Sequence, residues 1–220
     1  GWGSFFFWFP SICMGLEWVS CLILMSIQKV MPLMLMSLFI GWGMWLIIVM
    51  SLVYGVFGSF NQMNIKKLIA YSSIHHLGWI LLCNLSSDMF WLIYLLIYSF
   101  ILLSVVCLFV VDESVDIYSI SKWKRKWWFF ISMLSMAGMP PLLGFFLKLM
   151  AFFFIMKASL FLFMFMVIMS VIMFYVYIRM IYDIIMMFGI YNCYNDMNNV
   201  DMINLIGFVF GMIISLYLFM

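Results

Sequence analysis

Three side chains in this 220-residue sequence have the right type and setting to carry protons: Lys29, His76 and Lys148. Each sits inside a long apolar stretch, where an ionisable group costs at least about 2.5 to 3.5 kcal/mol on insertion scales and so marks a pathway or a partner. Desolvation disfavours a charged ammonium, which lets a buried lysine load and unload a proton near neutral pH. An arginine, charged at all times, could not do this. The competing explanation is a structural lysine that clips helices together by donating to carbonyls, which is the role read for Lys157 and Arg179 near helix ends.

The elements that must position these groups follow from counting about 20 apolar residues per crossing. Seven helices are read, at about 17 to 38, 41 to 59, 65 to 84, 90 to 111, 128 to 156, 158 to 188 and 203 to 220. Residues 1–16, with Pro10 and Gly15, read as a loop or short interfacial helix leading into the bundle formed by residues 17–220. The fold class is therefore an all-α, polytopic transmembrane helix bundle. No stretch shows the sustained alternation of a membrane barrel strand. Lys29 lies nine residues before the end of the first helix, or roughly 14 Å from that surface, and Lys148 lies eight before the end of the fifth, or roughly 12 Å from the same surface. His76, eleven residues into the third helix from the opposite side, reaches a similar level at roughly 17 Å. A polar stripe leads inward along that helix: Ser72 and His76 share one face, and Lys67, Tyr71 and His75 another.

The fifth helix carries Gly138, Met139, Pro140, Pro141 and Gly144 in mid-span. These residues remove backbone donors, so the helix should break there and free a half-helix end near Lys148. Discontinuous helices of this kind recur at the binding sites of ion-coupled transporters.

Composition excludes most other functions. With 69% hydrophobic and 8% charged residues, against about 45–50% and 25% in soluble domains, the chain reads as an integral membrane protein. A net charge of +2 offers no nucleic-acid footprint. The cysteines at 13, 21, 83, 107 and 193 show no metal-ligand spacing and read as free thiols packed as small hydrophobes. No catalytic triad, metal cluster or phosphate loop is found, so no catalytic residue, cofactor site or metal site is assigned. The acidic residues near the first four helices, Glu17, Asp88 and Asp112, fall at predicted ends, leaving Lys29 without a buried counter-charge. Lys66, Lys67, Lys122, Lys124, Arg125 and Lys126 are six of the ten cations and fall in two loops on one side, which marks that side as cytoplasm or mitochondrial matrix. The loop at 122 to 126, flanked by tryptophans, reads as an anchor beside anionic headgroups, cardiolipin among them. The 25 Met and 25 Phe hint at a gene read with a mitochondrial code.

Four stretches carry a resemblance. They are Phe5 to Pro10, Cys21 to Pro32, Asn61-Gln62 with Lys66 to Trp79 (KKLIAYSSIHHLGW), and Leu134 to Lys148 (LSMAGMPPLLGFFLK). In that order they resemble the NADH dehydrogenase subunit 2 family, the smallest antiporter-like membrane subunits of mitochondrial complex I, over essentially the whole chain. The resemblance implies an antiporter-like, multi-pass bundle in the mitochondrial inner membrane, acting as a subunit of NADH:ubiquinone reductase that translocates protons and does no redox chemistry itself. NADH, FMN, iron–sulfur clusters and ubiquinone would belong to the whole complex, and the partners would be its other membrane-arm subunits and lipids. Lys29 falls on the family's connecting lysine and Lys148 on the lysine of its second broken helix, with Gly138, Pro140, Pro141 and Gly144 at the break. His76 and Lys67 match by motif.

There are two departures. Phe6 and Ser11 stand where the family usually carries a His and a Glu, so no function is carried over there. The family's acidic residue and central lysine would precede Gly1, so the chain is expected to be a C-terminal portion, unable to translocate protons alone. Two other readings stay open: a bacterial-type cation/proton antiporter subunit, and a structural assembly subunit whose lysines only pair across helices.

Overall fold

A computed structural model of the protein describes residues 2–37, 42–86, 89–112, 126–158 and 160–186. Every element among them is helical. In chain order these are α1 (Trp2–Gly15), α2 (Trp18–Met25), a 3₁₀ turn (Ile27–Lys29), α3 (Val30–Ser37), α4 (Trp42–Ser59), α5 (Ile65–Ser86), α6 (Phe90–Asp112), α7 (Lys126–Ala137), α8 (Leu143–Ala158) and α9 (Leu160–Met186). The helix predicted at 203 to 220, residues 122 to 125 of the basic loop, Asp88 and Cys193 lie outside the described residues.

Among the described residues, four stretches are long and apolar enough to cross a bilayer: Trp18–Ser37, Ile65–Leu85, Phe90–Val110 and Phe161–Ile185. The least apolar of them, on α5, is the most deeply placed. Its span is 78% buried, against 28% for Trp18–Ser37 and for Phe161–Ile185, so α5 stands at the centre while those two face outward. This is the arrangement a membrane demands, since polar side chains cost least inside the bundle and lipid takes the apolar helices. α5 packs against α1, α3, α4, α6 and α8. Its seam with α4 is unusually close. A side chain at Gly55 would lie 2.7 Å from the His75 backbone nitrogen, so only glycine lets the two backbones approach there.

Two features depart from the predicted pattern. Residues 2–15, expected as a loop or short interfacial helix, form a full helix through Pro10 and pack on α5, with Phe9 and Cys13 buried. The first predicted span, 17 to 38, is interrupted by the 3₁₀ turn at Ile27–Lys29. Pro32 explains this, because it has no N–H to offer the Gln28 carbonyl and its ring crowds that oxygen. The Ser26 hydroxyl donates to the Leu22 carbonyl at 2.7 Å, and Lys29 N–H reaches back only to Ser26 O at 3.3 Å.

Candidate functional site

The α7–α8 break is built by backbone chemistry alone. Gly138 takes φ +83°, a left-handed conformation that only glycine adopts without strain. Its N–H donates to Ser135 O at 3.2 Å and Met139 N–H to Leu134 O at 3.3 Å, the bond pair that closes a helix in the Schellman motif. Pro140 and Pro141 cannot extend the helix, and α8 begins at Leu143. A side chain on Gly144 would collide with the Ser135 carbonyl oxygen, so the start of α8 rests directly on the end of α7. Lys148, four residues on and hence on the same face, lies over Gly138. Its Nζ donates to the Ala137 carbonyl at 2.5 Å. The ammonium therefore caps a helix C-terminus, where aligned peptide dipoles leave partial negative charge.

Lys29 is held differently. It is 6% exposed, as is Lys148, and its Nζ donates to the Ser73 carbonyl of α5 at 2.9 Å. The rings of Phe9 and Tyr98 lie 5.7 Å and 5.5 Å from that nitrogen, within cation–π range. One wall of the site opens on a cleft of about 410 Å³ lined by Trp8, Gln28, Pro32 and Leu77 among others.

His76 lies against the Tyr98 ring that Lys29 also approaches, and it is within electrostatic reach of both lysines. Its Nδ1 pairs with the Tyr94 hydroxyl at 3.0 Å, and its ring centre is 4.9 Å from that of Tyr98. The neighbouring His75 is fully buried and accepts from Trp79 Nε1 at 3.1 Å through its Nε2. That bond leaves the proton of a neutral His75 on Nδ1. Among the described residues no carboxylate is buried and no cluster could hold a metal ion.

The structure thus gathers Lys29, His76 and Lys148 with the break at Gly138, Pro140, Pro141 and Gly144. It does not bring Lys67 to them. Lys67 is half-buried in the first turn of α5, nine residues and so roughly 14 Å along the axis from His76. Its neighbour Lys66 points inward instead, donating to the Leu16 carbonyl at 2.7 Å over the Trp18 ring at 5.0 Å, and ties α5 to the α1–α2 connection. Arg179 Nη1 donates to the Phe60 carbonyl at 3.4 Å, the bridging role expected of it. Residues 94 and 98 were not singled out in the sequence, although two tyrosines spaced i,i+4 on an apolar helix are a usable signal.

Comparison with known proteins fits this arrangement. Residues 3–173 match the family described as NADH:quinone oxidoreductase/Mrp antiporter, transmembrane. The chain is 33% identical to NADH-ubiquinone oxidoreductase chain 2 of Aedes aegypti over 95% of its own length and 65% of that protein. It is 37% identical to the chain 2 protein of Anopheles gambiae over 85% of its length and 57% of that protein. It superposes on a chain of respiratory complex I from Thermus thermophilus, solved with bound aureothin, with a TM-score of 0.63 at 22% identity, covering 79% of this chain and 44% of that one. The chain spans less than two thirds of the length of these relatives. It belongs to the NADH:quinone oxidoreductase/Mrp antiporter transmembrane family.

Proposed function

We propose that this chain is part of a proton-translocating subunit in the membrane arm of a mitochondrial NADH:ubiquinone oxidoreductase. Residues 17–220 would form its antiporter-like bundle. The observation that carries the reading is Lys148 on the end of a broken helix, with His76 within electrostatic reach of both it and Lys29. When charged, Lys148 is stabilised by the Ala137 carbonyl; when neutral, it releases that acceptor and leaves a proton free to pass by His76 toward Lys29. The broken helix makes the Ala137 carbonyl available, because no backbone N–H beyond it completes a helical turn. The chain does no redox chemistry in this reading. NADH, FMN, iron–sulfur clusters and ubiquinone are handled by other subunits, which are its partners. The inner mitochondrial membrane is its location, with anionic lipids such as cardiolipin at the end bearing Lys66 and Lys67. Lys67 would act at most as a surface collector of protons there.

The test is Lys148→Ala in the assembled complex. Proton translocation driven by NADH oxidation should fall by about tenfold or more while the complex stays intact, and unchanged translocation at full assembly would sink the role. A structural reading has one observation in its favour, since both lysines donate to carbonyls of a neighbouring helix. It expects Lys29→Met and Lys148→Met to lose assembly and leave translocation per complex untouched.

A further inference from the structure

Two hydroxyls deep in the bundle lack hydrogen-bond partners among the described residues: those of Tyr98 and Tyr177. The side chains are 1% and 0% exposed. Leaving a buried hydroxyl unpaired costs about 1–3 kcal/mol, so a pair of them needs an explanation. Ser73 lies beside Tyr98 and Ser72 beside Tyr177, and both serines already donate, to Ala70 O and Ile69 O, each at 2.7 Å. Their oxygens therefore present lone pairs toward the adjacent tyrosine hydroxyls, which make no well-formed direct hydrogen bond. A bridging water completes such a geometry, having two or more polar partners in a buried polar site.

The surroundings give this cluster two ends. Toward the basic side of the bundle lies a cleft of about 170 Å³, with Asn61, Gln62, Arg179 and Asp183 among its walls and Ser59, Leu68 and Val176 also lining it. Ser72 stands one turn beyond Leu68 on α5, and Tyr177 follows Val176 on α9. At the inner end the Tyr98 ring lies 4.9 Å from the His76 ring and 5.5 Å from Lys29 Nζ. Ser72 and His76 share a face of α5.

We propose that Tyr177, Ser72 and Tyr98 line a hydrated side branch that passes protons between the Arg179–Asp183 cleft and the Lys29–His76 pair, an assignment that rests on the proton-translocation reading above. Each hydroxyl or water takes one proton on a lone pair and releases its other, so the branch is left unchanged after each transfer. Nothing is oxidised or reduced. Tyr98 and Tyr177 act as proton relays through their hydroxyls in this scheme, and each loses only an oxygen on change to phenylalanine.

The test uses the assembled complex in sealed vesicles. Tyr98→Phe and Tyr177→Phe should each lower proton translocation several-fold at normal assembly. Ser59→Cys and Ser72→Cys should both react with a small membrane-impermeant cationic methanethiosulfonate added from the side that bears Lys66 and Lys67, above the background of the parent chain, and not from the other side. Reaction of Ser59→Cys with an inert Ser72→Cys would show a blind cleft and overturn the branch, as would full translocation in both phenylalanine variants. If Lys148→Ala abolishes translocation while those results are negative, the branch alone fails. If Lys148→Ala also leaves translocation unchanged, the underlying reading fails with it.

Discussion

The two lysine sites are alike in burial and differ in what holds them. Lys148 donates to the end of the helix that its own break creates, eleven residues away in sequence. Lys29 donates to a carbonyl 44 residues away on α5 and leans on rings from α1 and α6. The first contact is therefore set by local backbone chemistry, by Gly138, Met139 and the two prolines, and forms wherever α7 and α8 form. The second exists only when α1, α3, α5 and α6 are packed together. A locally determined site resists changes in its surroundings, whereas a site assembled from several helices can respond to their movement. Lys148 has the character of a fixed station and Lys29 that of an adjustable one, beside an open cleft.

The largest effect should come from breaking the local site. Gly144→Leu drives a side chain into the Ser135 carbonyl and cannot relax without parting α7 from α8; loss of the assembled complex on native gels is the expected result. Gly138→Ala is milder. It forces a left-handed conformation on a residue with a Cβ, costing about 1–2 kcal/mol, and places that atom 3.0 Å from the Lys148 stem. The expected outcome is an assembled complex with lower thermal stability and reduced translocation.

Changes at Lys29 should cost less stability. Pro32→Ala restores a donor and lets α2 and α3 run together as one helix, so stability should move by about 1 kcal/mol or less. The 3₁₀ turn would be lost, Lys29 would rotate away from Ser73, and translocation should fall several-fold. Equal damage to stability from Gly138→Ala and Pro32→Ala would erase the contrast between the two sites. Lys67→Gln, outside both, should change translocation less than twofold.

Much of this was readable in the residues. The α7–α8 break follows from Gly138, Pro140 and Pro141, because glycine and proline act on their own backbone wherever they stand. The depths of Lys29, His76 and Lys148 follow from rise per residue once the spans are counted. The break at Lys29 was not read, since a lone proline in an apolar run is often tolerated and only the packed helix shows the turn tightening before Pro32. Lys66 and Lys67 are neighbours about 100° apart on one helix, and the sequence cannot say which faces inward. Tyr98 and Tyr177 sit in helices more apolar than α5, and they become part of a site only because tertiary packing sets them beside Ser72, Ser73 and His76.

The most direct measurement of the central claim is proton translocation by complexes carrying Lys148→Arg. Arginine keeps the positive charge and can still donate to the Ala137 carbonyl, yet it does not give up its proton. An assembled complex whose NADH-driven translocation has collapsed is the expected result. Translocation near the parent rate would contradict the account, and would mean that Lys148 serves the helix end and carries no proton.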